Sequence, residues 1–90
     1  MLVYKINVID ELQKIGINTS LARKTGIFSQ STMKKFRDGD TAISCDALNR
    51  LCAVLEMQPR DILKYIETDY DRNEIITKKS EKSIDIHEKS

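Results

Sequence analysis

Three glycines and the single proline divide the first two thirds of the chain into short segments, and this division limits what the chain can fold into. Glycine adopts the left-handed backbone conformation that ends many helices, and proline is well suited to a first helical turn. The breaks fall at Gly16, Gly26, Gly39 and Pro59. Between them, apolar side chains recur every three or four residues, the spacing of one helix face. The pattern predicts short helices with brief connections.

Polar residues of the kind that cap helices stand where these segments begin. Asn7, Asn18, Ser29 and Ser44 each precede such a stretch, and their side chains can accept a hydrogen bond from a free first-turn N–H. Pro59 stands where a first helical position is expected, and a short fifth helix is predicted from there through residues 61–66. Residues 2–6 alternate weakly and predict a short strand or an extended arm. We therefore expect an all-α fold in the form of a compact five-helix domain.

The length of 90 residues allows one compact domain, and the composition changes after residue 66. Residues 67–90 include 12 charged residues among 24. We interpret residues 1–66 as the folded domain and residues 67–90 as a polar C-terminal tail. The tail is either solvated and partly disordered, or ordered in a dimer. In the second case, residues 74–77 or 83–87 form a strand that pairs within a dimer or against residues 2–6.

Charge is distributed unevenly along the chain, although the net charge is only +1. No acidic residue lies between Glu11 and Asp38, and the basic residues are concentrated in that window. They include Arg23, Lys24, Lys34, Lys35 and Arg37. A local positive field of this kind attracts an anionic partner even when the whole chain is nearly neutral.

The cysteines and the apolar runs exclude several classes of protein. Cys45 and Cys52 are seven residues apart in a predicted helix, which separates them by about 10 Å, and a disulfide cannot span that distance. The single histidine, His87, lies in the tail, so no zinc site is expected. No apolar run approaches the roughly 20 residues that span a bilayer. We expect a cytoplasmic protein with no metal, no cofactor and no membrane contact.

The most informative stretch extends from Asn18 to Gly39. Two short helices meet there at a glycine turn, and only Met33 and Phe36 are expected on the inner face of the second helix. Its outer face is polar and basic, and a small helix of this kind fits the major groove of double-stranded DNA. The free amides at both helix starts can also hold phosphates.

The side chains of this stretch have distinct expected roles. Glutamine suits adenine, lysine suits guanine, and hydroxyl groups pair with either. Basic residues beside the helix reach phosphates and add affinity without sequence preference. The predicted DNA-binding residues are Asn18, Thr19, Arg23, Ser29, Gln30, Ser31, Thr32, Lys34, Lys35 and Arg37.

The spacing of these residues resembles that of the Cro and phage-repressor type of helix-turn-helix regulators, the lambda repressor-like domains. The resemblance rests on Leu21-Ala22, Gly26-Ile27, residues 29–33, residues 36–39, Ile43-Ser44, Leu48, Leu51-Cys52 and residues 55–63. It covers residues 1–66 and none of the tail.

The resemblance implies both structural roles and a function. Ala22 is expected where the two helices meet, Gly26 in the turn, and Met33 as the apolar anchor of the recognition helix. The implied function is sequence-specific binding to double-stranded DNA, usually as a homodimer on a two-fold site, with repression or occasionally activation of transcription.

Three positions depart from the family pattern. Met33 follows Gly26 by seven residues instead of six, so one residue near Phe28 is inserted and a looser turn or a later helix start is expected. Asn18 stands where glutamine is common, and Asp38 where asparagine is common. An acid at position 38 repels a phosphate, which weakens the expectation of a backbone contact there.

Two functions other than DNA binding are open to a chain of this size. A protein-interaction module on the same fold, such as an antirepressor or antitoxin acting through its tail, is favoured slightly by Asp38, Asp40 and the modest net charge. An enzyme is not expected, because the predicted domain has no Ser/His or Cys/His pair and no glycine-rich phosphate loop. No small-molecule ligand is evident.

Overall fold

The structure is a computed structural model and describes residues 1–79. That part of the chain is mostly helical, with six helices and a two-stranded sheet. The elements are β1 (Leu2–Tyr4), α1 (Val8–Lys14), α2 (Thr19–Thr25), α3 (Gln30–Asp38), α4 (Cys45–Leu55), α5 (Pro59–Ile62), β2 (Leu63–Tyr65) and α6 (Asp69–Asp71). A π-helical turn, Arg72–Ile76, continues α6.

The predicted caps begin the first four helices. The side chains of Asn7, Asn18, Ser29 and Ser44 each accept the backbone N–H of the residue three positions later. These bonds satisfy N–H groups that have no partner within the helix. The starts of α1 to α4 are thus confirmed, and local hydrogen bonding accounts for them.

The fifth helix begins at Pro59, as predicted, but the prediction that it continues to Ile66 was wrong. Helix α5 ends at Ile62, and the chain continues as β2, which pairs antiparallel with β1. The register joins Leu2 to Tyr65 and Tyr4 to Leu63. Pairing satisfies the backbone groups of both short segments and places Tyr4 and Leu63 against the core. The strand predicted near the N-terminus is therefore present, and the domain is not purely helical.

The strand considered for residues 74–77 was also wrong, because this stretch is helical. Thr68 caps α6 by accepting the N–H of Asp71 at 3.2 Å, and the Thr77 hydroxyl donates to the Arg72 carbonyl at 2.8 Å. Local hydrogen bonds of this kind leave no free edge for pairing with β1. The alternative strand at residues 83–87 lies outside the described residues.

The C-terminal helical segment is attached to the sheet through Asp71, which is buried. Its carboxylate accepts hydrogen bonds from the amino group of Met1 and, at 3.1 Å, from the Tyr65 hydroxyl. The Met1 amino group also donates to the Ile66 carbonyl at 2.7 Å. Chiefly because of the bond from the amino group, the pKa of Asp71 lies below its ordinary value.

The core is formed by apolar side chains from α1 to α5 and from the connections between them. Met33 and Phe36 are buried on the inner face of α3, as predicted. The core residues are Val8, Leu12, Ile17, Ala22, Phe28, Met33, Phe36, Leu51 and Ile62. Burial on this side of α3 determines which of its side chains face outward. No helix within residues 1–79 is both long and apolar enough to cross a membrane.

Candidate nucleic-acid interface

Helices α2 and α3 and the connection between them form the helix-turn-helix unit. Helix α2 ends at Gly26, which has the left-handed conformation (φ 76°) expected of a turn glycine. Ala22 is fully buried, and Met33 is only 1% exposed. These three positions have the burial and backbone conformation that the family resemblance implies.

The connection between α2 and α3 contains one more residue than the family pattern, and Phe28 accounts for it. Phe28 is 3% exposed, and its ring lies edge-on to Phe36 with 5.2 Å between the ring centroids. An exposed phenylalanine would be costly, and here the side chain fills the core instead. The extra residue therefore packs its side chain into the core and does not form an exposed bulge in the turn.

Arg50 on α4 contacts this turn from the other side and is not among the residues predicted from the sequence. Its Nη1 atom donates to the carbonyls of Gly26 and Ile27 at 3.3 and 3.4 Å, while its Nε atom donates to Asp46 at 2.9 Å. The Asp46–Arg50 spacing of four residues is a visible signal for a helix-surface ion pair. The contact with a turn 23 residues earlier has no local signal.

Most of the residues predicted on the outer face of α3 are exposed. Gln30, Ser31, Lys34 and Arg37 are exposed, whereas Thr32 and Lys35 are half-buried. At 100° per residue, Ser31, Lys34 and Lys35 point away from the buried Met33 and Phe36, although Lys35 is half-buried. The structure thus brings a glutamine, a serine and a lysine to one solvent-facing surface.

Hydroxyl groups cluster at the first turn of α3. The Oγ atoms of Ser29 and Ser31 are 3.1 Å apart, and the Ser29 hydroxyl lies 2.9 Å from that of Thr32. Ser29 also accepts the Thr32 N–H at 3.2 Å. Ser29 and Thr32 line a depression together with Arg50. This end of α3 combines capped amides, hydroxyl groups and a nearby cation.

The two central lysines of α3 are bonded to the protein itself. Lys34 Nζ forms an ion pair with Asp38 Oδ2 at 3.1 Å, and Lys35 Nζ donates to the Ala42 carbonyl at 2.6 Å. Within residues 1–79, Arg23, Lys24 and Arg37 form no ion pair, by contrast. The arginines are therefore the more available cations, and Lys34 must leave Asp38 to meet another anion.

The residues predicted on α2 form a second group. Asn18, Arg23 and Lys24 line one shallow depression on the surface of this helix. Asn18 is occupied in part by its capping bond to the Leu21 N–H at 2.8 Å, and Thr19 is half-buried. The α2 group therefore offers two exposed cations in the last turn of the helix, in addition to its capped start.

Strand β1 supports the loop that follows α3. The Tyr4 hydroxyl donates to the Asp40 carbonyl at 2.9 Å, and the Thr41 hydroxyl donates to the Leu2 carbonyl at 3.0 Å. The Tyr4 ring also lies edge-on to Phe36 at 6.4 Å. Burial, and secondarily the Asp40 carboxylate, raise the pKa of Tyr4, so its hydroxyl remains a donor at neutral pH.

No group of three or more metal-ligating side chains occurs within residues 1–79. The chemistry that this surface offers is hydrogen bonding and electrostatic attraction toward an anionic polymer. The family described as Cro/C1-type HTH DNA-binding domain matches residues 5–68 of the chain. No curated protein and no solved structure matches the sequence significantly.

Proposed function

Because the chain belongs to the Cro/C1-type helix-turn-helix DNA-binding domain family, we propose that it regulates transcription by binding specific sequences in double-stranded DNA. Helix α3 enters the major groove and contacts the base edges. The observation that carries the proposal is the outer face of α3, which is exposed, polar and free of carboxylates from Gln30 to Arg37. A buried Met33 and Phe36 hold that face outward.

Base contacts fall to the side chains that face away from the core. Gln30 can donate to and accept from adenine at the same time, and Lys34 can donate to both major-groove acceptors of guanine. Ser31 and Thr32 pair with either kind of base edge. Lys35 contributes less in this proposal, because its ammonium group is bonded to Ala42.

Phosphate contacts fall to residues around this face. Arg23 and Arg37 are exposed and form no ion pair within residues 1–79. Asn18, Thr19 and Ser29 stand at the starts of α2 and α3, where free amides attract phosphate oxygens. These contacts supply affinity and register, and the base contacts supply selectivity.

We propose further that the protein acts as a homodimer on a two-fold site. A pair of copies reads two half-sites when their recognition helices are about 34 Å apart, one turn of DNA. Repression follows where such a site overlaps a promoter, because the bound protein excludes the polymerase. No catalytic step is involved.

The experiment begins with selection of bound sequences from random duplexes by the purified full chain. Affinity for the selected duplex is then measured for two variants. Gln30→Ala is expected to weaken binding by about 5- to 150-fold and to relax the preference at one base position. Arg23→Ala is expected to weaken binding to all sequences and to reduce the salt dependence by about one phosphate contact.

Each variant has a matched control on a surface away from α3. Gln13→Ala alters an exposed glutamine of α1, and Arg60→Ala alters an exposed arginine of α5. Both controls should keep wild-type affinity. The proposal fails if the selection enriches no sequence, or if Gln30→Ala and Gln13→Ala behave alike while circular dichroism shows both to be folded.

A further inference from the structure

Large apolar side chains are exposed where the two-stranded sheet ends. Met1, Leu2, Tyr65 and Ile66 are 44–57% exposed, and we call these four residues the sheet-end patch. The adjoining helical segment adds Tyr70 and Ile75, which are 68% and 56% exposed. Elsewhere in residues 1–79, the exposed large apolar residues are Ile15 and Leu21.

The four residues of the patch are neighbours through the sheet register. Leu2 lies directly opposite Tyr65, so their side chains share one face of the ribbon. Met1 and Ile66 exchange backbone hydrogen bonds, from the Ile66 N–H to the Met1 carbonyl at 2.9 Å and from the Met1 amino group at 2.7 Å. Apolar surface therefore wraps the end of the ribbon on both faces.

We infer that the sheet-end patch is the surface through which two copies of this chain associate. The inference rests on the proposed function, because a two-fold DNA site needs two copies and leaves the surface that joins them unspecified. An isologous contact places the same patch of each copy against the other.

The area of the patch is consistent with a dimer contact. With roughly 200 Å² for a fully exposed large side chain, the four residues of the patch expose on the order of 400 Å². A patch of that size is among the larger ones on a monomer and is often functional. It is about half of the roughly 800 Å² that each partner contributes to a standard interface, with the surrounding polar residues supplying the rest.

The charges around the patch permit a copy of the same chain to approach. This border contains both signs of charge, the bases Lys64 and Arg72 and the acids Glu67, Asp69 and Glu74. Glu67 and Arg72 already form an ion pair within the chain. A border of mixed sign does not repel its own copy, and it forms the polar rim that surrounds the apolar centre of an interface.

The position of the patch also connects it to α3. Strand β1 is paired with β2, and the Thr41 hydroxyl, just after α3, donates to the Leu2 carbonyl. Tyr4 joins the same strand to the Asp40 carbonyl. Association through the patch therefore sets the position of α3 in one copy relative to α3 in the other.

The test measures the mass of the full chain in solution by light scattering and sedimentation. Wild type is expected at twice the chain mass of 10.4 kDa. Ile66→Lys and, independently, Leu2→Lys are expected to give monomers with an unchanged helical circular-dichroism spectrum. The matched control is Ile15→Lys, which places the same charge at a residue that is 49% exposed outside the patch and should remain dimeric.

The same proteins are then titrated onto duplexes that carry one or two half-sites. Ile66→Lys should keep the affinity of Ile15→Lys for a single half-site, and should lose roughly 10²-fold or more on the paired site. A wild-type monomer at every concentration, or a dimer that persists in both patch variants, overturns the inference, and residues 80–90 or another protein then cover the patch. If the inference fails in either way but the protein still binds a single half-site, the proposed function is not affected. If the wild type selects no DNA sequence, the proposed function itself is wrong.

Discussion

Neutralising Asp38 should strengthen DNA binding, because this carboxylate is the acid nearest to the proposed base-reading surface. Asp38 is the last residue of α3 and lies on the same outward side as Ser31 and Lys34. Its Oδ2 atom is 3.1 Å from Lys34 Nζ, and both side chains are at least half exposed. Asp38→Asn keeps the shape of the side chain, removes its charge and releases Lys34.

The magnitude follows from the two charges involved. A unit charge 4–8 Å from a phosphate contributes about 0.5–1 kcal/mol in water. Removing a repulsive carboxylate and freeing one ammonium group therefore add about 1–2 kcal/mol, which corresponds to roughly 5- to 30-fold in affinity. Stability should hardly change. An exposed pair of this spacing contributes about 0.3–0.5 kcal/mol, and removing an acid from the negative end of the helix dipole offsets that loss.

Fluorescence anisotropy over a series of salt concentrations measures both the affinity for DNA and its salt dependence. The logarithmic salt dependence should steepen by about one unit, because the surface that faces the DNA gains one net positive charge. Glu56→Gln is the matched control, since it makes the same change in net charge at an exposed residue after α4. If both variants bind with the same affinity and the same salt dependence, Asp38 does not restrain Lys34 and the outer face of α3 does not meet DNA as proposed.

Three further predictions concern the stability of the domain. Phe28→Ala should lower the free energy of unfolding by about 3–5 kcal/mol in urea denaturation, because the ring is buried against Phe36; a loss below about 1 kcal/mol contradicts its place in the core. Gly26→Ala should cost about 1–2 kcal/mol from the backbone alone, since φ is 76° and a Cβ would meet no atom within 4 Å. The pKa of Asp71 is lower in the folded protein than in the unfolded chain, so its ionised carboxylate stabilises the fold at pH values above the unfolded-state pKa of about 3.9. This contribution to the free energy of unfolding is lost as the pH falls through the folded-state pKa. Melting temperatures of wild type and Asp71→Asn should therefore converge in acid, and a constant difference contradicts the ion pair.

The starts of α1 to α4 could be predicted because their causes are local. Asn18 and Ser29 accept N–H groups only three residues away, so the sequence contains both partners of each bond. Burial of Met33 and Phe36 followed from their spacing in the same way. Where a structural feature depends on residues that are close along the chain, residue types and their spacing are sufficient to predict it.

The end of α5 could not be predicted, because its cause is distant. Residues 61–66 have apolar side chains compatible with a helix or a strand, and pairing with β1 some 60 residues earlier decides in favour of the strand from Leu63 onward. The bonds of Lys35 to Ala42 and of Arg50 to Gly26 likewise join separate elements. Exposure of Ser31 and Lys34 could be inferred from the helix period, whereas the half-burial of Lys35 and the partners that hold the cations could not.

The inserted residue before α3 determines which side chains form the proposed contact surface. If the extra residue had been absorbed within the helix, every later side chain would have rotated by 100°, and Met33 and Phe36 could not both face the core. Met33 is 1% exposed although it follows Gly26 by seven residues, so the insertion is accommodated before Gln30. Phe28 turns inward and Arg50 bonds the two carbonyls before it. The outward direction of Gln30, Ser31 and Lys34 thus depends on a buried ring and an arginine that do not belong to the proposed contact surface.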